Sequence, residues 1–107
     1  MSDVQLPALQ RVGILGSGIM GSGLAEVAAR AGYDVVVRSR SLAAANAMVA
    51  DIGKGFAKSI ERGKATEDER VAVLGRITAT DHLGALADCD LVIESVVEDL
   101  EIGRAHV

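Results

Sequence analysis

The chain has 107 residues, a formal net charge of −4 and an apolar fraction of 50%, led by Ala, Val, Leu and Ile. That composition excludes a disordered chain and allows one domain with a core. The acidic balance, with no basic cluster interleaved with aromatics, argues against nucleic acid as a partner. A single cysteine, Cys89, leaves no disulfide framework and fits a reducing compartment. Residues 1–10 carry no basic segment and no long apolar run, so neither a signal peptide nor a membrane span is expected and a cytoplasmic location is.

In chain order, Arg11 to Leu15 reads as a first strand. It runs into Gly16-Ser17-Gly18-Ile19-Met20-Gly21, a G-x-G-x-x-G turn that opens a helix reaching Ala31. Between a strand and a helix, this turn is the phosphate-binding element of a dinucleotide-binding βαβ unit. Gly16 permits the tight turn, Gly18 lets the backbone approach a pyrophosphate, and Gly21 lets the helix close on the sheet. The helix N-terminus offers free N–H groups and partial positive charge to the phosphates.

Gly32 stops that helix, and Val35 to Arg38 is a β-branched second strand. Ser41 is expected to cap a long helix reaching Arg62, weakened by Gly53 and Gly55 at about 1 kcal/mol each and closed by Gly63. Thr66-Glu-Asp-Glu69 has the pattern of a reciprocal cap, starting a helix over about Glu67 to Leu74. Ile77 to Thr80 is expected as strand three, Leu83 to Ala87 as a short helix and Leu91 to Ile93 as strand four. The fold class is therefore α/β, a Rossmann-type parallel sheet of order 3-2-1-4, incomplete at its C-terminal side. No metal-ligand spacing occurs among His, Cys and Asp. Cys89 has no paired base and reads as an inert thiol.

An NAD-binding unit carries Asp or Glu about 20 residues past the glycine motif, which accepts from the adenosine ribose. Arg38, Ser39 and Arg40 occupy this region. A guanidinium holds phosphate oxygens through bidentate bonds. NAD(P) is the expected cofactor, with NADP(H) favoured over NAD(H). The competing reading leaves both arginines solvated at a strand end and Ser39 in a turn. Lys54, Lys58 and Arg62 stack on one face of the long helix, as a row of cations or as a solvated amphipathic face. The second reading is slightly favoured.

Three stretches carry a resemblance: Val12-Gly-Ile-Leu-Gly-Ser-Gly-Ile-Met-Gly-Ser-Gly23, Ile60-Glu-Arg-Gly-Lys-Ala-Thr-Glu-Asp-Glu-Arg70 and Ala87-Asp-Cys-Asp-Leu-Val-Ile-Glu-Ser-Val-Val-Glu-Asp-Leu100. Together they resemble the N-terminal cofactor domain of the 3-hydroxyacyl-CoA dehydrogenases, including the 3-hydroxybutyryl-CoA type. The resemblance implies oxidation of 3-hydroxyacyl-CoA to 3-oxoacyl-CoA, or the reverse, in fatty acid or butanoate metabolism. It aligns Ser39 with the family's ribose-binding acid. It places Ser95 and Val96 along the cofactor's path and Glu98 near the nicotinamide ribose, with Glu94 a weaker choice. It makes Lys58 and Arg62 candidate contacts for coenzyme A, Arg62 the better one.

The resemblance further implies that no catalytic residue lies in this chain. The family's catalytic His and Glu fall beyond it, in or near a substrate and dimerisation domain, and the parent is expected to be a homodimer. His82 reads as a loop residue and His106 as a terminal one. The expected organisation is residues 10–101 as the N-terminal part of the NAD(P)-binding domain and 102–107 as a non-native tail. The family continues Glu-x-Lys, with a cofactor-contacting lysine where Gly103 stands. Ile102 to Val107 instead match a translated sequencing-library adapter. A small 3-hydroxyacid dehydrogenase of the hydroxyisobutyrate type is the alternative within enzymes, and a non-catalytic nucleotide-sensing module the alternative outside them.

Overall fold

The computed structural model describes residues 10–16 and 19–95. Four strands are present among them: β1 (Arg11–Gly16), β2 (Asp34–Arg38), β3 (Ile77–Thr80) and β4 (Leu91–Ser95). They form one parallel sheet in the order β3-β2-β1-β4, the order expected from the alternation of strands and helices. Helices α1 (Ile19–Arg30), α2 (Leu42–Glu61) and α3 (Glu67–Leu74) link the first three strands, and a short 3-10 helix (Leu83–Asp88) leads into β4.

Strand alternation divides the sheet into two faces. Val12 and Ile14 of β1 and Val35 and Val37 of β2 point into the main core, where they meet Ala25 and Ala29 of α1 and Met48, Ile52 and Phe56 of α2. The stripe Gly21, Ala25, Ala29 recurs every four residues, so α1 presents its smallest side chains to the sheet. On the opposite face Gly13 makes room for the 3-10 helix. A Cβ there would stand 2.7 Å from Leu86 Cδ2 and 3.0 Å from Cys89 Sγ. Gly13 is a packing position that the dinucleotide motif does not cover; its only sequence signal is a lone small residue inside an apolar strand.

The caps follow the residue types. The Ser41 hydroxyl accepts the Ala44 N–H at 3.1 Å to start α2, and Gly63, with φ +71°, ends it. At α3 the cap is one-sided. Thr66 Oγ1 accepts the Glu69 N–H at 3.2 Å, while the Glu69 carboxylate lies 3.4 Å from the Thr66 hydroxyl, where a reciprocal bond to the backbone was expected. The C-terminal end of α1 is held from outside the helix. Arg76 Nη1 donates to the Ala29 carbonyl at 2.7 Å, a cation on the negative end of the helix dipole.

Strand β4 has one neighbour, β1, among the described residues. Its Leu91 and Val92 point to opposite faces, and each is 43% exposed. Apolar residues on both faces are the pattern of a strand covered on both sides.

At the amino end of the sheet, the Asp90 carboxylate accepts the backbone N–H groups of Gln10 and Arg11, both at 2.9 Å. It thereby fastens the start of β1 to the start of β4. Those backbone donors, Arg11 first, hold the Asp90 carboxyl below its ordinary value of 3.8. A carboxyl with a lowered folded pKa stabilises the fold above the unfolded value and loses that contribution as pH falls through the folded one. Thermal melts of wild type and Asp90→Ala are therefore expected to differ by a constant amount at neutral pH. The gap should close as pH drops below about 3.8, and a gap that persists undiminished into that range contradicts the clamp.

Candidate dinucleotide site

In a parallel sheet the carboxyl ends of all strands share one edge, and ligands bind where the strand order reverses. Here the reversal lies at β1, whose neighbours β2 and β4 lead away in opposite directions. Gly16 ends β1 and Ser95 ends β4, and the two are register partners. Gly16 has φ +127°, and a Cβ on it would run into the Ser95 carbonyl oxygen. The glycine thus serves two demands at one place, a backbone conformation closed to other residues and contact with the next strand's backbone.

Helix α1 begins three residues later, and its first turn contains no acidic side chain. Its positive end is therefore not neutralised by the helix itself. Gly21 sits where four elements meet. A Cβ there would lie 3.0 Å from Met48 Cε of α2, 3.6 Å from Ile14 Cγ2 of β1 and 3.7 Å from Ser95 Cβ of β4. Helix closure on the sheet is the role expected of this glycine, and these distances supply the reason. A glycine at positive φ where β1 ends, a helix terminus with no acid in its own first turn and close backbone approach of β1 to β4 are features that suit a dinucleotide pyrophosphate.

The carboxyl end of β2 lies on the same edge. Ser39 is 5% exposed, and its backbone N–H continues the ladder to the Thr80 carbonyl at 3.1 Å. Arg38 is half-buried, and its Nε–H donates to the Asp81 carbonyl at 3.1 Å. Arg40 is exposed and makes no hydrogen bond or ion pair among the described residues.

Gly16, Gly21, Ser39, Arg40 and Ser95 are thus gathered on one edge of the sheet, with Ile19 and Met20 in the first turn of α1 beside them. Met20 is exposed. Ser17, Gly18, Val96 and Glu98 lie outside the described residues. Lys58 and Arg62 are not brought to this edge. They stand exposed at the far end of α2, whose 20 residues extend about 30 Å from the Ser41 cap. Glu94 is exposed and points away from the face that Ser95 shares. Cys89 lies at the amino end of β4, remote from the site, and burial pushes its thiol above the ordinary value of 9.0. Among the described residues no cluster of His, Cys, Asp and Glu could hold a metal ion.

Residues 11–106 match the model of a protein family described as 3-hydroxyacyl-CoA dehydrogenase, NAD binding domain. The chain belongs to the 3-hydroxyacyl-CoA dehydrogenase family. A 3-hydroxybutyryl-CoA dehydrogenase of Mycobacterium tuberculosis is 49% identical over 99 residues, which cover 92% of this chain and 33% of that protein. The corresponding enzyme of Bradyrhizobium diazoefficiens is 42% identical over 96 residues, 90% of this chain and 33% of the relative. Among solved structures, FadB2 of Mycobacterium tuberculosis superposes with a TM-score of 0.82 at 47% identity, covering 90% of this chain and 34% of that one. The chain spans about a third of the length of these relatives. Its place in the 3-hydroxyacyl-CoA dehydrogenases is that of their NAD-binding domain, part of an oxidoreductase architecture. No helix among the described residues is long and apolar enough to cross a membrane.

Two contributors to the site's geometry escape motif reading. The tether from Arg38 to Asp81 links residues 43 positions apart, and no local pattern signals it. Met48, which closes over Gly21, looks in the sequence like any apolar helix residue.

Proposed function

We propose that this chain supplies the cofactor site of a cytoplasmic 3-hydroxyacyl-CoA dehydrogenase that prefers NADP(H). The observation supporting the dinucleotide site is the Gly16–Ser95 pairing at the head of an acid-free α1 terminus. When bound, the cofactor supplies a hydride acceptor or donor at C4 of its nicotinamide. Gly16, Ser17, Gly18, Ile19, Met20 and Gly21 hold the pyrophosphate, and Ser95, Val96 and Glu98 line the path toward the nicotinamide ribose. Lys58 and Arg62 are the candidate coenzyme A contacts, and Arg62 is the one to vary first. Residues 10–101 form the cofactor part, and the homodimeric parent supplies the catalytic His and Glu.

The cofactor preference rests on Ser39. An acid there would accept from a ribose 2′-OH and repel a 2′-phosphate, whereas serine carries no charge and leaves the exposed Arg40 beside it. Kinetics on an enzyme completed with a homologous catalytic portion are expected to give higher kcat/KM with NADPH than with NADH. Ser39→Asp should reverse the order, with a change of about one to two powers of ten for NADPH from a charge-assisted contact of about 1.5–3 kcal/mol. Equal efficiency with both cofactors, unmoved by Ser39→Asp, refutes the preference.

The 107-residue chain alone is expected to show no turnover of acetoacetyl-CoA with either reduced cofactor. Reproducible activity of rigorously purified chain, absent from a Gly16→Ala preparation, would mean that the reacting groups lie within these residues.

A further inference from the structure

Two arginines flank Ser39, and their surroundings are unlike. Arg38 ends β2, pairs in register with Thr80, and commits its Nε–H to the carbonyl of Asp81, the first residue after β3. The neighbouring loop is fastened further where the Thr80 hydroxyl accepts the His82 N–H at 3.1 Å, and the Asp81 carboxylate is turned to His82 at 3.4 Å. Arg38 is half-buried in this junction. Two residues on, Arg40 is exposed and its guanidinium has no partner among the described residues. The backbone on either side of Arg40 is nevertheless held, by the Ser39 N–H on the Thr80 carbonyl and by the Ser41 cap on Ala44. Helix α2 starts at once after this cap and has no acid in its first turn, so no carboxylate there competes for Arg40.

We propose that the two arginines divide the work of 2′-phosphate selection: Arg40 is the phosphate ligand, and Arg38 is a positioning residue that ties the β3 exit loop to the end of β2. This rests on the NADP(H) reading above. A guanidinium binds phosphate best through two parallel N–H donors, and among the described residues nothing engages the Arg40 fork, on a backbone fixed at both ends. A free cation on a fixed backbone has little ordering to lose when the anion arrives. Arg38 has one edge of its fork engaged and its side chain packed, so a phosphate contact would require it to leave Asp81. Its contribution reaches the cofactor through the loop and falls on every adenine nucleotide alike.

The test compares adenosine 2′,5′-bisphosphate with 5′-AMP by calorimetry on the 107-residue chain, with amide hydrogen exchange measured on the same samples. Wild type is expected to bind the bisphosphate more tightly by about ten- to a hundredfold. Arg40→Ala should abolish that ratio and leave AMP binding and exchange unchanged. Arg38→Ala should weaken both ligands by a similar factor, keep the ratio within about twofold, and speed exchange at Asp81 and His82. Arg38→Gln, which keeps a donor for the Asp81 carbonyl, should restore slow exchange. It also decides the matter, together with Arg40→Ala, if Arg38→Ala fails to fold. A ratio that survives Arg40→Ala, or falls as far in the Arg38 variants, overturns the division while the NADP(H) reading stands. A wild type that binds both ligands equally overturns the NADP(H) reading itself.

Discussion

Gly16→Ala is expected to remove dinucleotide binding and to lower stability by on the order of 3 kcal/mol. Two costs combine: about 1–3 kcal/mol for a non-glycine residue held at positive φ, and about 1–3 kcal/mol for overpacking. The first is unavoidable at φ +127°. The second cannot relax cheaply, because the new methyl would meet the backbone carbonyl of Ser95. Escape requires β1 and β4 to part at the place where the cofactor must bind. Chemical denaturation with wild type and variant side by side gives the stability difference, and calorimetry with ADP-ribose gives the binding. Native stability with unaltered affinity would mean that the turn accepts a side chain, and the account of the site's central residue would be wrong.

Phe56→Ala should be the most damaging core substitution, at about 3–5 kcal/mol for a large aromatic truncated in a packed interior. Phe56 is 0% exposed and is the largest of the fully buried side chains. It also carries the Arg30 guanidinium 4.3 Å from its ring centroid, a contact of about 0.5–2 kcal/mol. Since domains of this size are stable by roughly 5–15 kcal/mol, the variant should melt at a much lower temperature or fail to fold. Phe56→Leu, which retains most of the volume, should recover the larger part. A melting temperature for Phe56→Ala within a few degrees of wild type would show that the α2 seam contributes little.

Strand and helix identities were legible because each element agrees with its own local chemistry. Ser41 and Thr66 are hydroxyl caps at positions that demand them, and Gly63 takes the positive φ that ends α2. The order β3-β2-β1-β4 followed from right-handed crossovers between alternating strands and helices. Strand β4 runs two residues beyond the apolar Leu91 to Ile93, because its hydrogen bonding follows β1 out to the Gly16–Ser95 pair and not the end of the apolar run. Of the candidate site, Gly16 and Gly21 were readable from spacing alone. The unequal circumstances of Arg38 and Arg40 were not, since both look alike until β3 brings the Asp81 carbonyl to one of them. The same holds for Asp90, whose partners Gln10 and Arg11 stand some 80 residues away.

The closeness of Gly13 to Cys89 makes the thiol a local probe of the packing beneath the sheet. The Cys89 sulfur lies where a Cβ on Gly13 would be 3.0 Å away, so this half-buried thiol has one side set into the seam between β1 and the 3-10 helix. Opening of that seam uncovers the rest of the thiol and is expected to speed its labelling, while the raised pKa slows each attack. A nucleotide that binds only the closed sheet is expected to slow the share of labelling that passes through opening, although it sits at the other end of the strands. One cysteine at the foot of the sheet can therefore report the occupancy of a site at its head.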